Sequence, residues 1–461
     1  MSNNLTNFKA AAEKKAFDSK HRKTIQFNMG KYAATVEKGK AQYTHLEAAR
    51  KWAKNTKWEA IENLGENLEQ FERQFTKRGG KVIWAETTEQ ALAAIEEIVK
   101  SKNAKLVVKS KSMATEEIEL NEHLEKLGIE VAETDLGEYI VQLAGEKPYH
   151  IVTPAMHKSK EDVAKLFHEK LNTPLDATPS QLTMVAREKL RQKYMDADIG
   201  ITGANFIVAD IGAISITENE GNARMTTAFP KVHIAIVGLE KVIPSFNDLS
   251  DYLPLLATFG TGQKISVYNT LFLGPRQPNE TDGPEEMYVI LLDNNRTKLL
   301  ADIEKREALY CIRCGACLNA CPVYKTIGGH TYGTTYSGPI GSVITPHLKG
   351  QKDFGHLSQA SSLCGNCSEA CAVNINLHNL LLYNRRDAIE QEFAAQTETF
   401  IWSIWSKTML DRKMMNRGGA FAKNFLFRLA FGNSWGDRRL LPKVAKQSFN
   451  EWWLSEEKNK K

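Results

Sequence analysis

The seven cysteines of this 461-residue chain all fall between Cys311 and Cys371, and their spacing decides what that region can become. The first four read Cys311-Ile-Arg-Cys314-Gly-Ala-Cys317-Leu-Asn-Ala-Cys321-Pro322. This is C-x2-C-x2-C-x3-C-P, the spacing with which bacterial ferredoxins ligate [4Fe–4S] clusters. Three closely spaced thiolates wrap three corners of a cube through a tight loop, in which Gly315 permits the turn. The fourth thiolate points away to a second cluster, and Pro322 redirects the chain there. Such a motif demands a partner. The same 1-4-7-11 pattern placed downstream lands on Ser361, Cys364, Cys367 and Cys371, with serine at the first place and Ala372 where the proline would stand. Crossed ligation then assigns Cys311, Cys314, Cys317 and Cys371 to cluster 1, a [4Fe–4S] centre, and Cys321, Cys364 and Cys367 to cluster 2. No cysteine is left over. Cluster 2, one thiolate short, has three readings: a [3Fe–4S] cluster; a [4Fe–4S] cluster whose last iron is held by Ser361, a histidine or water; or an open corner that binds substrate. His330, His347, His356 and His378 are in range by sequence, and nothing singles one out. The competing metal is zinc, but zinc ribbons space two C-x2-C pairs well apart and do not call for four cysteines within eleven residues.

An odd, clustered set of thiols without a secretion signal argues against a disulfide framework. The N-terminus lacks an apolar core segment and no apolar run approaches 18 residues, so the expectation is a cytoplasmic chain without a transmembrane span. Net charge is +5, but Thr399 to Lys461 carries 13 Lys+Arg against 5 Asp+Glu, which leaves −3 for the rest. The main body therefore offers no basic funnel for nucleic acid.

Four regions are expected. Residues 1–65 read as helices, with no proline and with apolar residues at helical spacing. Residues 66–295 alternate short apolar runs with amphipathic stretches, which implies an α/β domain with a mostly parallel sheet. Its candidate strands are Lys81–Ala85, Leu106–Lys109, Ile129–Ala132, Tyr149–Thr153, Asn205–Ala209, Ala213–Thr217, Val232–Val237, Ile265–Tyr268 and Met287–Leu292. Residues 300–380 form a helical, ferredoxin-type region with every cysteine, and residues 381–461 a basic, Trp-rich helical segment. No Walker loop, H-E-x-x-H or convincing G-x-G-x-x-G accompanies them. Two crossed clusters form an electron wire, so electrons enter from a partner or from a substrate site.

The stretches CIRCGACLNACPVY and SSLCGNCSEACAVNINL resemble the iron–sulfur region of the lactate utilisation protein B family. So do TGANFIVADIGAISITENEGNARMTTAFPKVHIAIVGLEKVIP, the segment ARKWAKNTKWEAIENLGENLEQFERQFTKRGGKVIWAE and the Trp-rich tail, so that the resemblance covers nearly the whole chain. It implies an LUD-type, NagB/CoA-transferase-like α/β domain. It also implies an electron-transfer component, not active alone, of a three-protein system oxidising L-lactate to pyruvate. The partners would be a cysteine-rich iron–sulfur subunit and a smaller LUD-domain subunit. The second motif of the family also has three cysteines, so Ser361 fits it, whereas Ala372 departs from the usual proline.

Outside the cysteines, Thr217 to Asn222 is a polar loop after a strand, in which Glu220 or Arg224 could hold a carboxylate substrate; the plain alternative is a loop held by Asn side chains and a Gly turn. Gly203 and Gly212 read as packing glycines. In the tail, Trp402, Trp405 and Met409 share one helical face and Phe421, Phe425 and Leu429 another, flanked by Lys423 and Arg428. These faces suit partner docking, peripheral contact with the inner face of a membrane, or ordinary packing. Two functions of other classes stay open: a stand-alone α/β enzyme binding a small acid or CoA ester, with structural or sensory clusters, and a zinc-stabilised interaction protein.

Overall fold

A computed structural model describes residues 3–391, 393, 396–435 and 440–459. Ten strands are present among them: β1 Lys81–Ala85, β2 Leu106–Lys109, β3 Glu130–Glu133, β4 Ile199–Thr202, β5 Phe206–Val208, β6 Ala213–Glu218, β7 Val232–Gly238, β8 Val242–Ile243, β9 Tyr268–Phe272 and β10 Glu286–Leu292. Six make an all-parallel sheet in the order β1-β10-β7-β4-β2-β3. The other four make a smaller mixed sheet, β8-β5-β6-β9, with β5–β6 and β6–β9 antiparallel and β5–β8 parallel. The domain is thus mostly parallel and helix-covered, as the alternation of runs predicts.

One expected strand does not form, and another begins three residues later than expected. Tyr149–Thr153 is a turn closed on itself: the Val152 and Thr153 amides donate to His150 Nδ1 at 3.1 and 3.3 Å, and Lys111 Nζ takes the Val152 carbonyl at 2.8 Å, so no ladder is left to make. At Ile265–Tyr268 only Tyr268 is extended into a strand; the Val267 amide donates instead to Asn219 Oδ1 at 3.1 Å, and β9 continues to Phe272. Two strands escape the sequence pattern. β8 has two residues, too few to show a period. β4 is a four-residue run with a glycine at its second place, yet it is buried throughout, between β7 and β2. A Cβ on Gly200 would lie 1.9 Å from the Thr226 carbonyl oxygen of the helix Asn222–Ala228, so glycine is what lets that helix close on the sheet.

Four helices precede β1: Asn3–Ala16, Ser19–Lys40, Leu46–Glu62 and Leu64–Thr76. They do not form a separate bundle. Ile25, Met29, Ala60, Phe71 and Phe75 share one core with Ile214 and Val242 of the smaller sheet, with Tyr252, and with Cys314, Cys317 and Leu381 of the cysteine region. A second core, including Ile95, Val107, Leu124, Ile199 and Ile234, lies between the parallel sheet and its helices. These elements belong to a compact unit that ends at Ala388.

A second unit, from Ile389, contains the helices Gln396–Leu410, Arg412–Asn416, Ala420–Trp435 and Phe449–Asn459. Trp402, Trp405, Phe421, Phe425 and Leu429 are all exposed within it, and the Trp402 and Trp405 rings meet edge to face at 5.4 Å. Among the described residues no helix is long and apolar enough to cross a membrane.

Gly200→Ala is expected to lower stability by about 1–3 kcal/mol through overpacking. Gly30→Ala, in the helix Ser19–Lys40 with nothing within 4 Å of the added Cβ, should instead raise it by roughly 0.5–1 kcal/mol. Denaturant midpoints of the two variants, compared with the parent, measure both.

Candidate metal centre

The two cysteine motifs fold as a structural repeat. Arg313 (φ +61°) and Leu363 (φ +54°) both take the left-handed conformation that residues other than glycine seldom adopt, and Gly315 (φ +80°) and Gly365 (φ +84°) follow them in the two loops. Each loop then enters a short helix, Ala316–Ala320 in one and Asn366–Glu369 in the other. In the first loop the Arg313 amide donates to Cys311 Sγ at 3.4 Å; at the matching place in the second, the Leu363 amide donates to Ser361 Oγ at 3.1 Å. The Ser361 hydroxyl therefore stands in its loop where the Cys311 thiol stands in the other. A Cβ on Gly315 would be 3.0 Å from Val152 and 3.2 Å from His150, because the Tyr149–Thr153 turn packs directly on the first loop.

None of the seven cysteines is in a disulfide, and all but Cys311 and Cys364 are buried. Burial pushes the Cys314 thiol up to about 11, with Cys311 adding to the shift. Cys317 is pushed well above the usual thiol range by burial and then by Cys311, Cys314 and Cys371. Cys371 rises to about 12 through burial, Cys314 and Cys311. Elsewhere, Cys321 is raised by burial and by Cys364, and Cys367 rises to about 11 through burial and Cys321. The thiols that act on one another thus fall into two sets: Cys311, Cys314, Cys317 and Cys371 in one, Cys321, Cys364 and Cys367 in the other. Main-chain amides aim at the sulfurs of both: Ala316 and Ala372 at Cys314, Ile340 at Cys317, Val373 and Ile375 at Cys371, and Tyr324 at Cys321. Buried thiols that repel one another's ionisation, yet receive amide hydrogen bonds, suit an electron-poor metal that takes them as thiolates. The donor set fits iron–sulfur clusters. The four histidines have other engagements. His330 Nε2 donates to the Lys147 carbonyl at 2.7 Å, and His347 Nε2 to Asn384 Oδ1 at 2.9 Å. His356 packs on Phe8 and Phe354, and His378 shares a hydrogen bond with Ser368 at 2.8 Å.

A buried chain of charges ties the first loop to the α/β domain. Arg296 grips Glu117 with two parallel bonds of 2.9 and 2.8 Å and donates through Nε to Glu240, and Glu240 also accepts from Arg313 Nη2 at 3.1 Å. Tyr336 donates to Glu117 at 2.7 Å while its ring lies under the Arg313 guanidinium at 4.7 Å. Burial alone would raise the Glu240 carboxyl, but Arg296 and Arg313 hold it down at about 2. The helix Leu46–Glu62 adds three cations on one stripe. Arg50 donates to the carbonyls of Cys371 and Glu369, Lys54 to Glu307 and to the Asn374 carbonyl, and Lys57 to the carbonyls of Glu240 and Val242. Burial lowers Lys57 to about 7. Sequence reading missed all three; the signal was their spacing at 50, 54 and 57 beside the apolar Ala53, Ala60 and Ile61.

A cavity of about 350 Å³ opens where the first loop meets the carboxyl ends of β2, β4 and β7, lined by Lys111, Asp135, Asn205, Glu218, Glu220, Lys241, Arg313 and Cys314 among others. Glu220 accepts from the Leu136 amide at 3.1 Å, and burial together with Asp135 raises its carboxyl. Arg224 is not among the lining residues; its guanidinium lies over the Tyr268 ring at 5.1 Å. Glu218 caps that turn by accepting the Ala223 and Arg224 amides at 2.7 and 3.0 Å. Gly203 is a packing glycine, since a Cβ there would meet Ser112 Oγ at 2.6 Å.

Comparison with known proteins agrees with this architecture. The LUD domain family matches residues 68–292 and the 4Fe-4S dicluster domain family residues 307–375. Fold and site together define an LUD-domain protein that carries a ferredoxin-type dicluster region. Lactate utilization protein B of Shouchella clausii strain KSM-K16 is 40% identical over 98% of this chain and 97% of its own. That of Bacillus cereus strain AH820 is 42% identical over 89% of each, and that of Bacillus licheniformis 45% identical over 80% of this chain and 78% of its own. The chain belongs to the lactate utilization protein B family. A DUF162 family protein of known crystal structure from Deinococcus radiodurans aligns over 50% of this chain and 98% of its own, at 15% identity and a TM-score of 0.28.

Arg296→Met would leave Glu117 and Glu240 buried without their shared counter-charge, and should cost about 3–5 kcal/mol, read as a lower unfolding midpoint. Because the folded Glu240 carboxyl lies near 2 and its ordinary value is 4.5, its contribution is complete above pH 4.5 and lost as pH falls toward 2. The variant should show a flatter loss of stability over that window than the parent.

Proposed function

We propose that this chain is the iron–sulfur electron-transfer component of a multi-protein system that oxidises L-lactate to pyruvate. The observation that carries the reading is the sorting of seven thiols into a set of four and a set of three, each drawing on both loops. In this reading Cys311, Cys314, Cys317 and Cys371 hold a [4Fe–4S] cluster 1, and Cys321, Cys364 and Cys367 hold cluster 2. The Ser361 hydroxyl, matched to the Cys311 thiol by the repeat, is the candidate for the last corner of cluster 2. Bound clusters supply one-electron steps for the two electrons that leave lactate. The residues of the chain set the terms of those steps. Amide hydrogen bonds to sulfur and the nearby Lys57, Lys241 and Arg313 favour added electrons by offsetting negative charge.

The work divides among four regions: helices 1–65, the LUD-type domain 66–295, the cluster region 300–380 and the tail 381–461. The partners are a cysteine-rich iron–sulfur subunit and a smaller LUD-domain subunit. The exposed Trp and Phe side chains of the basic tail supply a surface for docking them, or for peripheral contact on the inner face of the membrane. What supports this assignment beyond the site is membership of a family whose relatives are named for lactate utilization. A second reading, a stand-alone α/β enzyme, is favoured by the polar cavity at the sheet edge. Turnover of lactate by the purified chain alone with an artificial acceptor would select it.

The anaerobically purified protein should contain iron and acid-labile sulfide in amounts for two clusters, and little zinc. Removing the gene should abolish growth on L-lactate; unimpaired growth would refute the pathway. Ser361→Cys should give a cluster 2 without a three-iron EPR signal in the oxidised protein, and Ser361→Ala should strengthen that signal. Identical spectra for parent and both variants would remove Ser361 from the site.

A further inference from the structure

The cavity beside cluster 1 has the makings of a binding site of its own. The parallel sheet has one topological switch point: from β2 the chain moves outward to β3, then returns to β4 on the other side of β2 and continues to β7 and β10. In open α/β sheets the crevice outside the carboxyl ends of the strands at that point is where ligands bind. Ser110, Lys111 and Ser112 after β2, and Gly203, Ala204 and Asn205 after β4, are among the residues that line this cavity.

Its cations are not all spoken for. Arg296 is engaged by two carboxylates, and Lys111 by the Val152 carbonyl and Asp135. By contrast, Nε and Nη1 of Arg313 are buried without a hydrogen-bond partner, while its side chain is only 10% exposed. The half-buried Lys241 side chain, on the turn after β7, makes no hydrogen bond or ion pair among the described residues. Donors left unpaired on a buried guanidinium are unfavourable even when another of its nitrogens is paired, and a guanidinium is shaped to receive a carboxylate. Glu220 and Asp135 in the same cavity are placed as acceptors for a neighbouring hydroxyl.

We infer that this cavity binds a small 2-hydroxy or 2-oxo carboxylate, its carboxylate anchored by Lys241 and Arg313 next to the Cys314 loop. The anion site follows from the cavity; the choice of hydroxy and oxo acids rests on the function proposed above. About 350 Å³ holds a three-carbon acid together with several waters, at roughly 30 Å³ per water. The position has a consequence. Reduction makes a cluster more negative, so a carboxylate at Lys241 and Arg313 binds the oxidised protein more tightly, and by reciprocity lowers the potential of cluster 1. A tenfold difference in affinity between the two states is about 59 mV for a one-electron couple.

The test is anaerobic calorimetry and an EPR-monitored redox titration on the full-length, cluster-loaded protein with L-lactate, pyruvate and oxalate, and with acetate and phosphate as simple anions. The expected result is binding of at least one of the first three, a lower potential for cluster 1 when it is bound, and at least tenfold weaker binding to Lys241→Gln with iron and sulfide content unchanged. Three results would overturn the inference: no binding by fully loaded protein, equal affinity in Lys241→Gln, or phosphate competing as well as pyruvate, which marks a general anion hole. A change of potential in Lys241→Gln without ligand binding would assign the lysine to the cluster alone. Growth on L-lactate of a strain without the gene bears only on the function proposed above, so the two failures are distinguishable.

Discussion

A run of buried charge, Glu117 to Arg296 to Glu240 to Arg313, is the interaction on which the rest of the molecule depends. Glu117 comes from a helix after β2, Glu240 from the turn after β7, Arg296 from the helix after β10, and Arg313 from the cysteine loop. Four segments far apart in sequence are thereby held to one another by side chains that are almost wholly buried. An ion pair in such a place is weak evidence for net stability but strong evidence for a fixed geometry, because removing one member strands the others. What is fixed here is the approach of the first cysteine loop to the carboxyl edge of the parallel sheet.

That approach explains why the cysteine region does not behave as an independent bead. Its thiols share a core with the N-terminal helices and the smaller sheet, and Arg50 of the helix Leu46–Glu62 holds the carbonyl of Cys371 itself. A site that moves electrons benefits from such anchoring. Little rearrangement follows a change of charge when main-chain amides already point at the sulfurs. It also benefits a pocket beside the cluster, since Arg313 belongs at once to the cysteine loop and to the cavity lining.

Much of this was legible in the sequence because it is written in local spacing. The 1-4-7-11 repeat of thiols needs no tertiary information, and it led to Ser361 as the counterpart of Cys311, a correspondence that the backbone repeats in its own torsions. Long apolar runs such as Val232–Gly238 announced buried parallel strands. What stayed hidden depends on distant partners. β4 is a strand because β2 and β7 flank it, and Tyr149–Thr153 is not one because His150 captures its amides. Lys241 reads as an ordinary basic residue until the fold places it, half-buried, in the cavity lining with Arg313. Glu220 lines the cavity while Arg224, four residues on, leans on Tyr268, a distinction no spacing could reveal.

The central claim is that each loop lends a sulfur to the metal centre of the other. Diffraction from anaerobic crystals of the cluster-loaded protein at the iron edge tests it most directly, because it locates the irons independently of the protein. Cys371 is expected to bond the iron group held by Cys311, Cys314 and Cys317, and Cys321 the group held by Cys364 and Cys367. Iron density joining Cys321 to the Cys311 group, with the Cys371 sulfur bound to none, would contradict it.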